Sequence, residues 1–288
     1  MKILITGGLG YIGSHLAKTL REKNYEVVIF DNFYSNKVDK LEDIVTIKGD
    51  IRTSGDLEKI PSVDVVIHLA AQTSVQNSIL DPKTDNEINV LGTVNLIDWC
   101  RKKNVKKIIY ASSAAVYGNP AYLPIDENHP TNPVSPYGVS KLSAEKYIQL
   151  ENFVILRLAN VYGGMKDNSG VISTFIKNLK REEALCLYGD GNQTRDFVNI
   201  EDVISAFISA IKYQKRGIFN IGSNKETSLN ELVNILREFK PNLKVNYLPK
   251  REGDIYRCFF DISKAKKELG YNPKIDLKEG MKKLLEIF

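Results

Sequence analysis

The chain has 288 residues, 43% hydrophobic and 26% charged, ordinary proportions for a globular protein with a large core in one domain or two. Its net charge of +5 is modest, and the basic run RKKNVKK reads as a solvated helix end, which speaks against a nucleic-acid surface. No apolar run approaches the roughly 20 residues that span a bilayer, and the first residues read as a strand entering a glycine loop, so we expect no cleaved signal, no membrane partner and a cytoplasmic protein.

Residues 2–30 read as one β-α-β unit. KILIT is a short apolar strand, GGLGYIG follows, an apolar-periodic helix runs from Ser14 to Leu20, and EVVIF is a second strand ending at Asp31. Gly7, Gly10 and Gly13 form G-x-x-G-x-x-G between strand and helix, which permits a tight turn, close backbone approach to a pyrophosphate and close helix-on-strand packing. The helix start, with Tyr11 and Ile12, offers N–H groups and partial positive charge to phosphates. Asp31, with Asn32 beside it, stands where a carboxylate accepts from both adenosine ribose hydroxyls and repels a 2′-phosphate. NAD is therefore favoured over NADP. Lys37 lies too far along the loop to reverse that.

VTIKGD, DVVIHLAA, KIIYASS and FVILRLAN continue the alternation as buried parallel strands with helices between them. Ligands in such sheets bind beyond the carboxyl ends of the strands, where Asp50, Leu69, Ala70, Ala71, Gln72, Ser112 and Ser113 fall. The fold expected is α/β, a Rossmann-type doubly wound parallel sheet. After about Gly163 the alternation loosens into turn signals such as YGDGNQTRD and PKREGD, a smaller carboxyl-terminal substrate-binding lobe. Residues 1–163 are the expected cofactor domain, with residues 197–223 returning to it, and 164–288 the substrate lobe. No internal repeat is evident. Cys100, Cys186 and Cys258 are dispersed with no C-x-x-C, and so are His15, His68 and His129, so neither a disulfide framework nor a metal site is expected.

Ser135 can cap and Pro136 can open a helix that carries Tyr137 and Lys141 one turn apart on one face. A tyrosine ionises near 10, so a phenolate at neutral pH needs roughly 3 units of help, or about 4 kcal/mol. A neighbouring ammonium and a cationic cofactor ring supply charge of the right sign. The Ser113 hydroxyl would share the proton, an arrangement suited to oxidising a carbinol.

Together these segments resemble the extended short-chain dehydrogenase/reductase family, and within it the UDP-glucose (UDP-galactose) 4-epimerases. The resemblance runs through TGGLGYIGSHL, DNFYSN, GDI, HLAAQTSV, NVLGTVNL, SSAAVYG, SPYGVSK, RLANVYG, GDGNQTRDFVNIEDV, FNIGS and REGD in order. It implies that Asp50 and Ile51 flank the adenine, and that Leu69, Ala70, Ala71, Gln72, Asn89 and Ser112 line the dinucleotide. Tyr137 and Lys141 would reach the nicotinamide ribose, with Ser113 as the catalytic hydroxyl. On the substrate side it implies Asn160 at a phosphate or the sugar, and Arg195 and Arg251 at the diphosphate. Asp254 would meet the nucleotide ribose, with Val171 and Tyr188 at the uracil. Cys258 would leave room for a 2-N-acetyl group, or else simply pack in the core. Asp85 stands where many relatives have Tyr, and we read that change as structural.

The implied reaction is NAD-dependent 4-epimerisation of UDP-glucose and UDP-galactose, extending to N-acetyl forms, through a 4-keto intermediate. Relatives that eliminate water or carbon dioxide carry a carboxylate just after the catalytic hydroxyl, where this chain has Ala114 and Ala115. A reductase or dehydrogenase of keto-sugar nucleotides and a non-catalytic NAD sensor are the alternatives. A homodimer is expected by analogy, through a four-helix interface of residues 86–103 and 136–150.

Overall fold

The computed structural model describes residues 1–34, 41, 43–164, 170–250 and 255–287. By internal contacts the chain forms two units: residues 1–118, 131–157 and 206–219 make the first, and residues 119–130, 158–205 and 220–288 the second.

The first strands are β1 (Lys2–Thr6), β2 (Glu26–Asp31), β3 (Val45–Lys48), β4 (Val65–His68), β5 (Lys107–Ser113) and β6 (Phe153–Leu158). With them come helices α1 (Tyr11–Glu22), α2 (Ser54–Leu57), α3 (Val75–Leu80), α4 (Pro82–Asn86), α5 (Gly92–Lys102) and α6 (Pro136–Ile148). A π-helical turn, Glu87–Leu91, runs into α5, and a 3-10 turn, Ala114–Val116, follows β5. Further along are β7 (Asn160–Tyr162), α7 (Gly170–Lys180), β8 (Leu185–Tyr188), β9 (Thr194–Arg195), β10 (Phe197–Asn199), α8 (Ile200–Lys212) and β11 (Gly217–Ile221).

Seven strands form a parallel sheet in the order β11-β6-β5-β4-β1-β2-β3. β1 pairs in register with β2, from Lys2 opposite Glu26 to Thr6 opposite Phe30, and with β4, from Ile3 opposite Val65 to Thr6 opposite His68. The chain leaves β1 toward β2 and β3, then crosses back to β4 and beyond. The ends of β1 and β4 therefore flank the switch point where such sheets hold ligands. β-branched and aromatic residues fill these strands because both faces are covered: Ile3, Leu4, Ile5, Val66, Ile67 and Ile109 have no exposed surface.

α1 starts at Tyr11, three residues before the predicted Ser14. Gly10 takes the cap position and Gly13 lies inside the helix, where its lack of a side chain erases the apolar periodicity used to place the start. FVILRLAN divides into β6 and β7 between Leu158 and Asn160.

His68 and Lys107, two of the buried basic side chains of this unit, tie its elements together. His68 bridges Thr6 Oγ1 (2.7 Å) and Thr93 Oγ1 (3.0 Å), and burial pushes its ring down to about 3, so it is neutral. Lys107 departs from the solvated end expected of RKKNVKK. Arg101, Lys102, Lys103 and Lys106 do pair with surface carboxylates, but Lys107 is 7% exposed. Its Nζ donates to the carbonyls of Ala210 (3.3 Å), Ile211 (3.1 Å) and Tyr213, answering the unpaired carbonyls at the end of α8.

The second unit has its own core, in which Phe175, Ile176, Leu185, Leu187 and Leu232 pack with Met281. Short two-stranded pairings β10-β7, β12-β9 and β13-β8 hold it, β12 being Thr227–Ser228 and β13 Val245–Leu248.

Candidate active site

The glycine loop after β1 is closed tightly on the end of β4. Gly7 has φ +69°, a left-handed conformation, and a Cβ there would meet Ala70 N at 2.7 Å. A Cβ on Gly13 would strike the Gly7 carbonyl, so α1 rests directly on the loop. Gly10 caps α1 without a side chain, and the half-buried Tyr11 and Ile12 follow in its first turn. This is a cradle shaped for an anionic diphosphate, which the residues of NAD's pyrophosphate site fit. Replacing Gly7 by Ala strains the backbone and drives a methyl into Ala70, so the variant is expected to purify with little NAD while keeping its fold. Acid release of the dinucleotide, followed by its quantitation, checks this.

Asp31 ends β2, buried, and accepts from Leu9 N (2.9 Å) and Phe33 N (2.8 Å). Its carboxylate thereby ties the end of β2 to the glycine loop. Asn32 donates to Asp50 at 3.1 Å. Asp50 also receives the fork of Arg52, at 3.0 and 2.8 Å, and that hydrogen-bonded guanidinium pulls its carboxyl down to about 2. Arg52 is a residue the sequence reading passed over, although it follows GDI directly. Ile51 is buried against Gly92.

Leu69, Ala70, Ala71 and Gln72 continue from β4, with Leu69 N bonded to Thr6 O at 3.1 Å. Asn89 locks this segment: its Oδ1 accepts from Gln72 N (2.9 Å), and its Nδ2 donates to Gln72 O (3.0 Å), Asp85 Oδ1 (3.1 Å) and Ser140 Oγ (3.0 Å). Asn89 thus shapes the wall through the backbone of Gln72.

Ser113 and Tyr137 meet. The Ser113 hydroxyl lies by the Tyr137 phenol, whose ionisation it favours, and Ser113 Oγ accepts from Ala115 N at 3.2 Å. Ser135 caps α6 by accepting from Gly138 N at 3.2 Å, with Pro136 at the first position. That fixes the rotation of α6 and sends both Tyr137 and Lys141 inward, 9% and 4% exposed. Lys141 Nζ lies 4.2 Å from the centre of the Tyr110 ring. Burial holds Tyr137 above its ordinary value, partly relieved by Ser113 and reinforced by Asp85. Burial also draws Lys141 down to about 7 against the carboxylates of Glu145 and Asp85. The sequence leads one to expect the lysine to push the phenol toward ionisation; in the protein without cofactor, desolvation pushes the other way.

Ser112 turns opposite to Ser113, as neighbours on a strand do. Its Oγ donates to Glu145 Oε1 at 2.5 Å. Arg157 forks onto Glu145 (Nε–Oε1 2.9 Å, Nη2–Oε2 2.7 Å) and donates to Tyr117 Oη at 2.9 Å. Glu145 and Arg157 have side chains 0% and 4% exposed, so the ion pair is sealed beneath the serine.

In the second unit, Arg195 Nη1 donates to the carbonyls of Thr194 (2.8 Å) and Ile255 (2.7 Å). Next to it, buried Asp196 accepts from Ser223 N and Oγ (2.7 Å each) and from Phe260 N (3.3 Å), fixing the turn. Asn160 is exposed, at the start of β7, and its N–H reaches Asp196 O at 3.0 Å. Val171 is the second residue of α7 and Tyr188 ends β8, both half-buried. Cys258 is buried; desolvation pushes its thiol up to about 11, with the Arg195 charge pulling the other way. Arg251 and Asp254 lie outside the described residues. Among the described residues, no three His, Cys, Asp or Glu side chains converge as metal ligands, and no helix is long and apolar enough to cross a membrane.

A sequence model of the NAD dependent epimerase/dehydratase family matches residues 3–222. The chain is 47% identical over 297 residues to a putative UDP-glucose 4-epimerase of Methanocaldococcus jannaschii, covering 98% of this chain and 97% of that protein. It is 34% identical to the dTDP-D-glucose 4,6-dehydratase of Homo sapiens, covering 99% of this chain and 89% of that protein. Among solved structures, the UDP-glucose 4-epimerase of Thermotoga maritima with UDP-glucose superposes with a TM-score of 0.95 at 35% identity, covering 99% and 98% of the two chains. The chain therefore belongs to the NAD dependent epimerase/dehydratase family, an enzyme family of Rossmann fold acting on nucleotide sugars, and NAD is its cofactor.

Proposed function

We propose that this enzyme interconverts UDP-glucose and UDP-galactose by epimerisation at C4. The observation that carries the reading is the inward-facing Tyr137 and Lys141 one turn apart on α6 with Ser113 by the phenol, Ser113 being followed directly by half-buried Ala114 and Ala115. Elimination of water or carbon dioxide from a keto sugar calls for a further acid–base group at that turn, and alanine provides none.

In this mechanism Tyr137, as phenolate, takes the proton of the sugar's 4-hydroxyl, with Ser113 bridging the transfer. The Lys141 ammonium steadies the phenolate. NAD, when bound, supplies the hydride acceptor and a pyridinium charge that favours the phenolate. The 4-keto sugar then turns, and Tyr137 returns the proton as the alcohol re-forms with inverted configuration.

The second unit is the proposed holder of the UDP moiety. A diphosphate carries about two negative charges, which the forked guanidinium groups of Arg195 and Arg251 match. Asn160, Val171, Tyr188 and Asp254 complete that surface, and the small Cys258 leaves space for an N-acetyl substituent. We also propose a cytoplasmic homodimer. Exposed Leu91, Val139, Tyr147 and Leu150 support an interface formed by residues 86–103 and 136–150, and the exposed free thiol of Cys186 suits a reducing compartment.

Purified protein incubated with UDP-galactose and no added NAD is expected to yield UDP-glucose on separation of the products. A product that has lost water or carbon dioxide, or no product at all, refutes the reading. Turnover of the N-acetyl substrate is expected to fall selectively in Cys258→Tyr, and an unchanged preference counts against the gate.

A further inference from the structure

Asp85 lies in α4, 1% exposed. One carboxylate oxygen, Oδ1, accepts from Gln72 Nε2 (2.8 Å) and Asn89 Nδ2 (3.1 Å). The other, Oδ2, is buried with no hydrogen-bond partner. A carboxylate half unpaired in the interior is costly unless a cation answers it. α4 packs against α6, and the Asn89 amide that serves Asp85 also reaches Ser140, the residue before Lys141. The packing that the sequence suggested is present, but it encloses a charge.

The buried cation that feels the charge of Asp85 is Lys141, on the helix α4 packs against, although the two form no direct ion pair. Around Lys141 are Tyr110 of β5, whose ring centre lies 4.2 Å from Nζ, and Tyr137 and Glu145 a turn to either side on α6. The charges of Asp85 and of Lys141 itself also bear on Tyr137 and on neutral His68 of β4 respectively, and Arg157 of β6 stands behind Glu145. α3 and the Ala114–Val116 turn bear no ionisable side chain. Glu87 of the π-helical turn pairs with Lys83 at 3.9 Å, and Asp98, Arg101 and Lys102 of α5 are exposed. Glu145 exerts the larger pull on Lys141, but both its oxygens are engaged by Arg157, so its charge is matched. The charge of Asp85 is not.

We propose that Asp85 is a positioning residue of the catalytic site, its carboxylate the buried counter-charge that keeps Lys141 an ammonium beside Tyr137. Burial favours the neutral amine, which would leave Tyr137 without a neighbouring charge. Asp85 opposes that preference from inside the fold. The proposal rests on the epimerase reading only for what the ammonium does in the reaction; the protonation of Lys141 is a property of the chain itself.

Lysines carrying 13C at Cε report their own protonation by NMR, and the Lys141→Arg spectrum identifies the Lys141 signal. In the wild-type protein as purified, its midpoint is expected at about 7 or above. Asp85→Asn keeps an oxygen for Gln72 and Asn89 but removes the charge, and should lower the midpoint by about one pH unit. The alkaline limb of kcat/KM should move down with it, and Asp85→Glu should restore both. Asp85→Ala gives the same two readings where the Asn variant does not fold. A midpoint that stays within about 0.3 unit in a folded variant lacking the charge overturns the proposal, as does a wild-type midpoint below about 6, which needs no variant. If the titration shifts as expected while UDP-galactose is not converted, Asp85 keeps its role and the reaction reading fails.

Discussion

Tyr137→Phe is expected to lower turnover about a thousand-fold, in the middle of the range for losing a positioned acid–base group. The change deletes one oxygen from a ring that is already buried in α6, so the packing that orients Lys141 remains. What is lost is the proposed proton acceptor, the hydroxyl that lies by Ser113. Because both directions of the reaction use the same phenolic oxygen, conversion of UDP-galactose and of UDP-glucose should fall by the same factor. The NAD content after purification should fall far less than turnover, since the glycine loop and Asp31 are untouched and only one hydroxyl at the nicotinamide end is removed. Activity within a few fold of wild type would assign the base to another residue.

Arg157→Met is expected to cost about 3–5 kcal/mol of stability, read as a lower urea midpoint at unchanged slope. Glu145 has no exposed side-chain surface, and without the fork it would keep only Ser112 as a partner for a full charge. Tyr117 Oη would lose its donor as well. Replacing both members of the pair, Arg157→Met with Glu145→Leu, should recover much of that loss, since an apolar pair of similar volume carries no stranded charge. A single variant that loses less than about 1 kcal/mol would mean that water or another cation reaches Glu145.

The parts of the protein most legible in the sequence were those governed by local rules. Strand periodicity placed β1 to β6, the Ser135-Pro136 cap placed α6, and the glycine triplet placed the cradle. That Tyr137 and Lys141, the proposed catalytic pair, share one face of α6 followed from helical spacing, which is a one-dimensional property. What escaped were side chains whose partners lie far along the chain. Arg157 interrupts the apolar run FVILRL, and a charge in a fully buried strand signals a buried counter-charge. Glu145 sits four residues beyond Lys141 on the same face. Joined, those two clues would have indicated the ion pair beneath Ser112. Asp85 was read as packing because nothing in its own segment reveals that α4 faces α6. Lys107 was taken with its basic neighbours because the carbonyls it meets belong to a helix a hundred residues later. Arg195 donates to the Ile255 carbonyl, and a backbone acceptor leaves no trace in residue identity.

The opposite facing of Ser112 and Ser113 divides two tasks between adjacent codons. One hydroxyl is committed inward to a sealed charge, so changes there should register in how much folded protein accumulates. The other faces the tyrosine, and changes there should register in what each folded molecule can do. Variation at these neighbouring positions would therefore be filtered by separate pressures, quality control for the first and metabolic flux for the second.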